Sequence, residues 1–389
     1  MIKFILSIYL LFCGVFTYSQ TFQVKKIVVD NTTKLPLENV SIFNETDNST
    51  TNTDGEFIFV SKKNEINLNL LGYEGVKTTF GELNKTNDTL FMQLKTTQLN
   101  EVVVSNAGDY MKKVYDKMKD NYLKNYTVNF FLRNVLQKDN EIIVLQDING
   151  KKNHNESQKK LLSLEFLNMR KTSFYVKKDH VSFRFPDFME LSSAIWPLLD
   201  KCSFSETTCN DDNYKKILFE SNEKNNAGQI FNGYMIVNKT DYAIVEYSFE
   251  GINNVEIIPY EKSGLSGGKH RTIKYNKMLQ FRKDVVSNKY FLSNAKLDAT
   301  VEGLLDKNAT KPFYFDLEIN FLAINNPTNE KVIPNFATDK DIFKAKFPYS
   351  EDFWKNQNQL FLTKELKLFL KSVAEIKDKT KEYEVIGNF

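Results

Sequence analysis

The chain has 389 residues, and its 52 basic and 49 acidic side chains leave a formal net charge of +3. This length exceeds what one hydrophobic core usually organises, so two or three domains are expected. The nearly balanced charge gives no electrostatic signature of nucleic-acid binding, and the 32 Phe and 18 Tyr residues favour β-strands.

The first twenty residues have the layout of a secretory signal peptide. One lysine precedes an apolar run from Phe4 to Phe16, and small or polar residues follow it. The run is shorter than the roughly 20 apolar residues that a membrane-spanning helix needs. We therefore predict export, with residues 1–20 removed by cleavage near Ser19 or Gln20. Lipid attachment at Cys13 is the disfavoured alternative, because a lipoprotein signal has a small residue where Phe12 stands.

Residues 21–105 alternate short apolar runs with turn residues, which is typical of an all-β sandwich. The pair Asp54-Gly55 predicts a tight hairpin turn, because glycine tolerates a positive φ. The pair Gly72-Tyr73 is expected to end a core strand. Seven strands are predicted, at residues 24–30, 40–44, 56–60, 66–71, 76–80, 89–94 and 100–105.

The same stretch resembles the carboxypeptidase-regulatory-like domain. The resemblance is carried by PLENVSI at 36–42, TDGEF at 53–57, GYEG at 72–75 and EVVV at 101–104. That family has a seven-stranded, transthyretin-like sandwich of Ig type, and it is common at the front of exported proteins of the Bacteroidetes cell envelope. The resemblance implies a location in the periplasm or at the outer membrane, and it implies no catalytic residue in this domain.

Residues 106–125 are predicted to form a linking helix, because Met111, Val114 and Met118 recur at helical spacing. Residues 126–389 are predicted to form a larger antiparallel curved sheet or incomplete barrel with a few helices. Its strands are expected at 126–137, 141–147, 173–185, 233–237, 242–249, 255–260, 271–283, 289–301 and 313–324. A helix or linker is expected at 156–167, and helices at 188–200 and 363–376.

Two stretches of this second region carry further resemblances. GYMIVNKTDYAIVEY at 233–247 resembles the meander of bacterial lipoprotein-carrier half-barrels. EDFWKNQNQL at 351–360 resembles the tail of uncharacterised Bacteroidetes envelope proteins that join such a region to a regulatory-like domain.

The sequence offers few candidates for chemistry. None of His154, His180 and His270 stands in a zinc-peptidase pattern, and Ser266 has a G-x-S-x-G string without the strand–turn–helix context that a hydrolase needs. We therefore predict no catalytic residue, no metal site and no cofactor. Cys202 and Cys209 are a disulfide candidate in an oxidising compartment, and two free thiols are the alternative.

The aromatic residues of the second region allow two interpretations: the core of a large sheet, or an apolar surface that binds lipid. They are Phe130, Phe131, Phe174, Tyr175, Phe183, Phe185, Phe281, Tyr290, Phe291, Phe313, Tyr314 and Phe315.

Three functions follow from these observations. The favoured one is an exported, non-catalytic envelope protein whose sandwich serves docking or binding. Its partner would be an unknown envelope protein or a hydrophobic ligand. No nucleic-acid partner is expected, and peripheral association with the outer membrane is left open. The alternatives are a periplasmic carrier or assembly factor for lipid or other hydrophobic cargo, and an unrecognised hydrolase.

Overall fold

The computed structural model describes residues 21–95, 107–155, 164–174, 183–186, 191–222, 228–263, 268–304, 309–375 and 383–389. The described chain is mainly β, with two small sheets and one large antiparallel sheet that is not closed, which confirms the predicted fold class. The predicted signal peptide at 1–20 and the predicted strand at 100–105 lie outside the described residues, as do His180 and Ser266. None of the described helices is long and apolar enough to cross a bilayer.

Residues 21–95 form a sandwich of two sheets. The strands are β1 (Phe22–Asp30), β2 (Ser41–Phe43), β3 (Asn48–Thr50), β4 (Glu56–Ser61), β5 (Glu65–Asn69), β6 (Val76–Thr79) and β7 (Thr89–Met92), with a short helix α1 (Phe80–Leu83) between the last two. The strand orders are β4-β1-β7 and β3-β2-β5-β6. Alternate apolar residues, such as Ile66 and Leu68 on β5, point into a core shared with Phe57 and Phe59. The seven strands differ from the predicted set, because β3 was not predicted.

Gly55 forms a turn with a φ of +73°, and its N–H donates to the Asn52 carbonyl at 2.9 Å. The turn joins β3 to β4, which belong to different sheets, so the prediction of a hairpin at Asp54-Gly55 is wrong. Gly72 also has a positive φ, of +81°. The Tyr73 hydroxyl beside it donates to an Asp30 carboxylate oxygen at 2.8 Å.

Replacing Gly55 by alanine is expected to destabilise the protein. An added Cβ would lie 2.5 Å from the Val28 carbonyl oxygen, and a left-handed backbone costs a non-glycine residue about 1–2 kcal/mol. Gly75→Ala is the matched control, because a Cβ there would meet its nearest atom at 3.8 Å, with no positive φ. Urea unfolding should show a loss of stability for Gly55→Ala and none for Gly75→Ala. Equal unfolding midpoints for the two variants would contradict the role given to this turn.

The large sheet contains twelve strands. They are β8 (Asn125–Lys138), β9 (Glu141–Asn155), β10 (Leu164–Phe174), β11 (Cys202–Thr207), β12 (Tyr214–Ser221), β13 (Gln229–Asn238), β14 (Ile244–Asn253), β15 (Glu261–Ser263), β16 (Gly268–Lys283), β17 (Tyr290–Leu304), β18 (Phe313–Ala323) and β19 (Tyr383–Ile386). The order is β11-β12-β13-β14-β16-β17-β18-β8-β9-β10-β19, with β15 paired to β16. The helices are α2 (Gly108–Asn121), α3 (Leu191–Lys201), α4 (Glu351–Lys355) and α5 (Lys364–Glu375).

Three predicted elements of the second region are wrong where the structure describes them. A strand begins at Leu164 inside the predicted helix or linker, because Leu164 and Phe166 alternate into the core and a bulge follows. Of the strand predicted at 173–185, residues 173 and 174 belong to β10, residues 175–182 lie outside the described residues, and Arg184 makes only an isolated bridge. Residues 255–260 form a turn instead of a strand, since the backbone N–H groups of Ile257 and Ile258 donate to Asn254.

The two faces of the large sheet have different coverings. The inner face, which carries Phe130 and Leu132 of β8, packs against Met111 and Val114 of α2 and Ile195 of α3. The outer face takes the alternate residues of the same strands. Trp354 of α4 and Phe369 of α5 lie in the hydrophobic clusters on that side.

The sandwich is joined to the large sheet by hydrogen bonds at two strand edges. Beside β3, the Asn48 N–H donates to the Ile324 carbonyl at 3.0 Å. Beside β4, the Asn358 side chain accepts from the Val60 N–H at 2.7 Å and donates to the Val60 carbonyl at 2.9 Å. Two of the four edge strands of the sandwich, β3 and β4, are therefore covered by residues of the second region.

Candidate functional site

The aromatic residues of the inner face form a packed core. The Phe130 ring lies 5.6 Å from that of Phe321 and 6.1 Å from that of Phe166, and Phe183 and Phe315 meet at 6.4 Å. These rings are buried in one cluster with side chains of α2 and α3. The described part of this face supports the core interpretation of the aromatic residues, and Tyr175 lies outside it.

Three of the predicted aromatic residues belong to the outer face instead: Tyr314, which is 40% exposed, and two residues beneath helices α4 and α5. Phe131 meets the Trp354 ring edge-on at 6.2 Å, and Phe174 meets Phe369 at 6.1 Å. The outer face of β8–β10 is thus covered by the segment that carries α4 and α5.

A fully buried ion network lies beneath this covering segment. Asp147 of β9 accepts from Arg133 at 2.8 Å through both carboxylate oxygens, and from Arg170 Nη2 at 2.7 Å. Arg133 Nη1 also donates to the Phe361 carbonyl at 2.7 Å, and Arg170 Nη2 donates to Gln359 Oε1 at 2.6 Å. Burial alone would raise the pKa of Asp147, but the two guanidinium groups hold it below its usual value.

The Arg170 guanidinium also stacks between two aromatic rings, 4.5 Å from the centroid of Trp354 and 4.7 Å from that of Phe389. Asp147 has no exposed surface, and Arg133 is 2% exposed. A ligand has no access to these groups, so the network fastens the covering segment to the sheet.

An open cleft of about 150 Å³ lies on the outer face next to this segment. Its walls come from β8, β16, β17 and β18: Val135, Gln137, Lys274, Asn276, Asp298, Ala299, Thr300, Asp316, Leu317 and Glu318. The polar residues occupy alternate positions of paired strands, so they project to the same side of the sheet. This cleft is the candidate binding site of the chain.

Charged side chains of the sandwich and of the large sheet meet beside Asp298, which lines the cleft. The Lys296 ammonium lies 3.7 Å from Glu318 and 3.8 Å from Glu38, which belongs to the sandwich. Burial raises the pKa of the neighbouring Asp298 to about 6, with Glu318 and Glu38 raising it further and Lys296 opposing them. The Thr300 hydroxyl donates to Asp316 at 2.7 Å.

Asp298→Asn is expected to stabilise the protein at pH 8 but not at pH 4. A folded-state pKa of about 6, above the unfolded value of about 3.9, means that stability falls as the pH rises from about 4 to 6. Removing the charge should raise the free energy of unfolding by about 1–2 kcal/mol at pH 8, a value reduced to allow for the partial exposure of the carboxylate. Urea unfolding at both pH values tests this, with Asp109→Asn on α2 as the exposed control. A gain at pH 4 equal to that at pH 8 would contradict it.

The predicted disulfide is not formed, since Cys202 and Cys209 are free thiols. Cys202 begins β11, and the extended strand carries the chain about 17 Å away by Thr207. A bridge needs Cα atoms within about 7 Å of each other, which two further residues cannot achieve. Burial raises the pKa of Cys202 to about 12.

Both thiols are therefore expected to react with a thiol reagent in the unfolded, unreduced mature chain. Dithiothreitol should leave the thermal midpoint unchanged, because it has no bond to reduce. A midpoint that falls in the presence of dithiothreitol would show that the bridge exists.

The remaining candidates are separated in space. His154 of β9 packs its ring 5.0 Å from that of Tyr126, whereas His270 lies on β16 opposite Glu261. Among the described residues, no three His, Cys, Asp or Glu side chains are grouped in a way that could hold a metal ion.

The cleft residues were not predicted as a site. Their signal in the sequence is the alternation of Lys296, Asp298 and Thr300 with apolar residues, repeated by Asp316 and Glu318 on the next strand. Alternation indicates an exposed strand face. It cannot reveal that Gln137 and Glu38, both far away in sequence, meet these groups.

Comparisons with known proteins add little to this description. No family model matches the chain, and a search of curated proteins found no match. One solved structure, the complex of Pseudomonas aeruginosa MucA and MucB, aligns with 57% of this chain and 98% of its own chain. The aligned residues are 8% identical and the TM-score is 0.20, which is too low to support a shared fold or function.

Proposed function

We propose that this chain is an exported, non-catalytic protein of the cell envelope that binds another protein. The sandwich and the large sheet act together as one rigid scaffold, and the outer-face cleft is the place where the partner binds. The observation that carries the proposal is this cleft, because it is open and charged, and the contact of Glu38 of the sandwich with Lys296 lies beside it.

The chemistry of the cleft favours binding over catalysis. Two of its three carboxylates have polar partners: Lys296 approaches Glu318 at 3.7 Å, Thr300 donates to Asp316 and Asn320 donates to Glu318, the last two at 2.7 Å. The described walls contain no His, Cys or Ser side chain, the commonest bases and nucleophiles of hydrolases. Carboxylates on an open surface are suited to recognising cationic groups.

The packed inner face counts against the role of a hydrophobic-cargo carrier. Its aromatic side chains contact one another and the helices α2 and α3, whereas a carrier needs an apolar space that a lipid chain can enter.

Photo-crosslinking in cells tests the proposal. A benzoylphenylalanine at Ile252, which is 41% exposed on the outer face of β14, should give a defined adduct with an envelope protein. The same probe at Val286, 94% exposed on the turn after β16, is the control. The chain itself should be found outside the cytoplasm with residues 1–20 removed. Equal adducts from both probes, or a cytoplasmic chain that keeps residues 1–20, would contradict the proposal.

A further inference from the structure

Beyond the cleft, no helix of the described part of the chain covers the outer face of β12, β13 and β14. We call the cleft together with the outward side chains of these strands the open face. Five large apolar residues in or beside this region are exposed by between 37% and 52%: Leu218, Ile230, Ile252, Val255 and Ile257. Apolar side chains grouped in this way on a soluble surface often mark a place of contact with another protein.

The strand register connects these apolar residues to the cleft. Ile230 lies opposite Ile252, and Ile252 lies opposite Lys274 of the cleft wall. Lys274 in turn lies opposite Thr300, which lies opposite Asp316. These residues form a row, meaning a line of side chains paired from strand to strand across the sheet. The row begins with apolar side chains and ends with polar and acidic ones.

The next row carries carboxylates. From β12 to β18, each member of this row is paired with the next member on the neighbouring strand: Glu220, Asn232, Glu250, Asn276, Asp298 and Glu318. In total the open face holds six carboxylates and two ammonium groups: Glu220, Glu246, Glu250, Asp298, Asp316 and Glu318, with Lys216 and Lys274. This face is acidic although the whole chain has a formal net charge of +3.

Both ammonium groups already have a partner. Lys274 lies 2.5 Å from Glu250, and the Lys216 ammonium lies 4.3 Å from the centroid of the Tyr234 ring. Glu220 is exposed and has no ion pair within the described part of the chain. The uncompensated charge therefore favours a cationic partner and disfavours nucleic acid or an anionic membrane surface.

We propose that the open face binds an extended protein segment in which apolar and basic side chains alternate. This inference rests on the proposed function and specifies the chemistry of the partner. Neighbouring rows lie two residues apart along each strand, about 6.7 Å. A segment lying along the rows can therefore place apolar side chains on Ile230 and Ile252 while its basic side chains reach the row of Glu220 and Glu250.

A labelled eight-residue peptide that alternates lysine with valine is the probe, and fluorescence anisotropy with the mature full chain is the measurement. The lysine peptide should bind saturably, and the same peptide with glutamate in place of lysine should not. Binding should weaken as the salt concentration rises from about 20 to about 200 mM, because salt screens the attraction between exposed charges.

Variants locate the binding. Ile230→Ser with Ile252→Ser, and separately Glu220→Lys, should each raise the Kd of the lysine peptide at least about fivefold, consistent with the loss of one apolar or charged contact. Val286→Ser and Asp109→Lys are matched controls at exposed positions outside the open face, and they should leave the Kd unchanged.

The inference is overturned if the lysine peptide does not bind, if the glutamate peptide binds equally well, or if the open-face variants bind as the unchanged protein does. Sedimentation with anionic vesicles that is lost in the open-face variants would also overturn it, in favour of a membrane. The proposed function fails separately, in the crosslinking and localisation experiment, so the two failures can be told apart.

Discussion

Replacing Asp147 by asparagine is expected to lower the free energy of unfolding by about 3–5 kcal/mol, the usual cost of removing one partner from a buried ion pair. The carboxylate has no exposed surface and accepts from Arg133 and Arg170 at 2.7–2.8 Å. Without its charge, two buried guanidinium groups would face each other uncompensated, and the segment fastened through Phe361 and Gln359 would loosen.

Urea unfolding at pH 7 measures this effect. Asp109→Asn is the control, because Asp109 pairs with Lys112 at 3.6 Å on an exposed helix face, where such a pair contributes less than about 1 kcal/mol. Since the pKa of Asp147 is lowered in the folded protein, its stabilisation is present at neutral pH and is lost as the pH falls through that value. The difference between variant and unchanged protein should therefore shrink in acid. A change below about 1 kcal/mol at pH 7 would contradict the role of the network.

Phe130→Ala is expected to lower the free energy of unfolding by about 3–5 kcal/mol, because it removes a packed aromatic ring from the core. The ring is fully buried among Phe166, Phe185 and Phe321. It also lies over Gly150, where an added Cβ would be 3.0 Å from the ring. A side chain that only lined a cargo pocket would be tolerated far better, because the protein would already be stable without its cargo.

Phe91→Ala is the matched control, since Phe91 is 52% exposed on β7, and surface substitutions usually change stability by less than about 0.5 kcal/mol. Equal unfolding midpoints for the two variants would mean that the inner face is not the packed core described above. That result would also revive the interpretation of this face as a lipid-binding surface.

The strands themselves were largely predictable, because their signal is local. Ile66 and Leu68 on β5, and Leu297, Ala299 and Val301 on β17, alternate with polar residues and mark one buried face each. β3 escaped prediction because its residues Asn48–Thr50 are polar, yet they are buried where the sandwich meets the large sheet. Local patterns cannot indicate burial against a distant part of the chain.

Long-range features could not be predicted from the sequence for the same reason. Asp147 meets Arg133 and Arg170 only because β8, β9 and β10 are neighbours in register. The disulfide prediction relied on closeness in sequence, which an extended strand converts into distance in space. The prediction of a turn at Asp54-Gly55 was correct for the backbone conformation but wrong for the topology, because turn chemistry does not specify which sheet the next strand joins.

The most direct test of whether this chain binds proteins rather than carrying lipid is native mass spectrometry of the mature protein after gentle extraction from the envelope. We predict the mass of the polypeptide alone, or of the polypeptide with a protein partner, because the inner face between the sheet and α2 and α3 is filled by its own side chains. A stoichiometric lipid adduct that is lost in Phe130→Ala would contradict this and would assign the inner face to hydrophobic cargo.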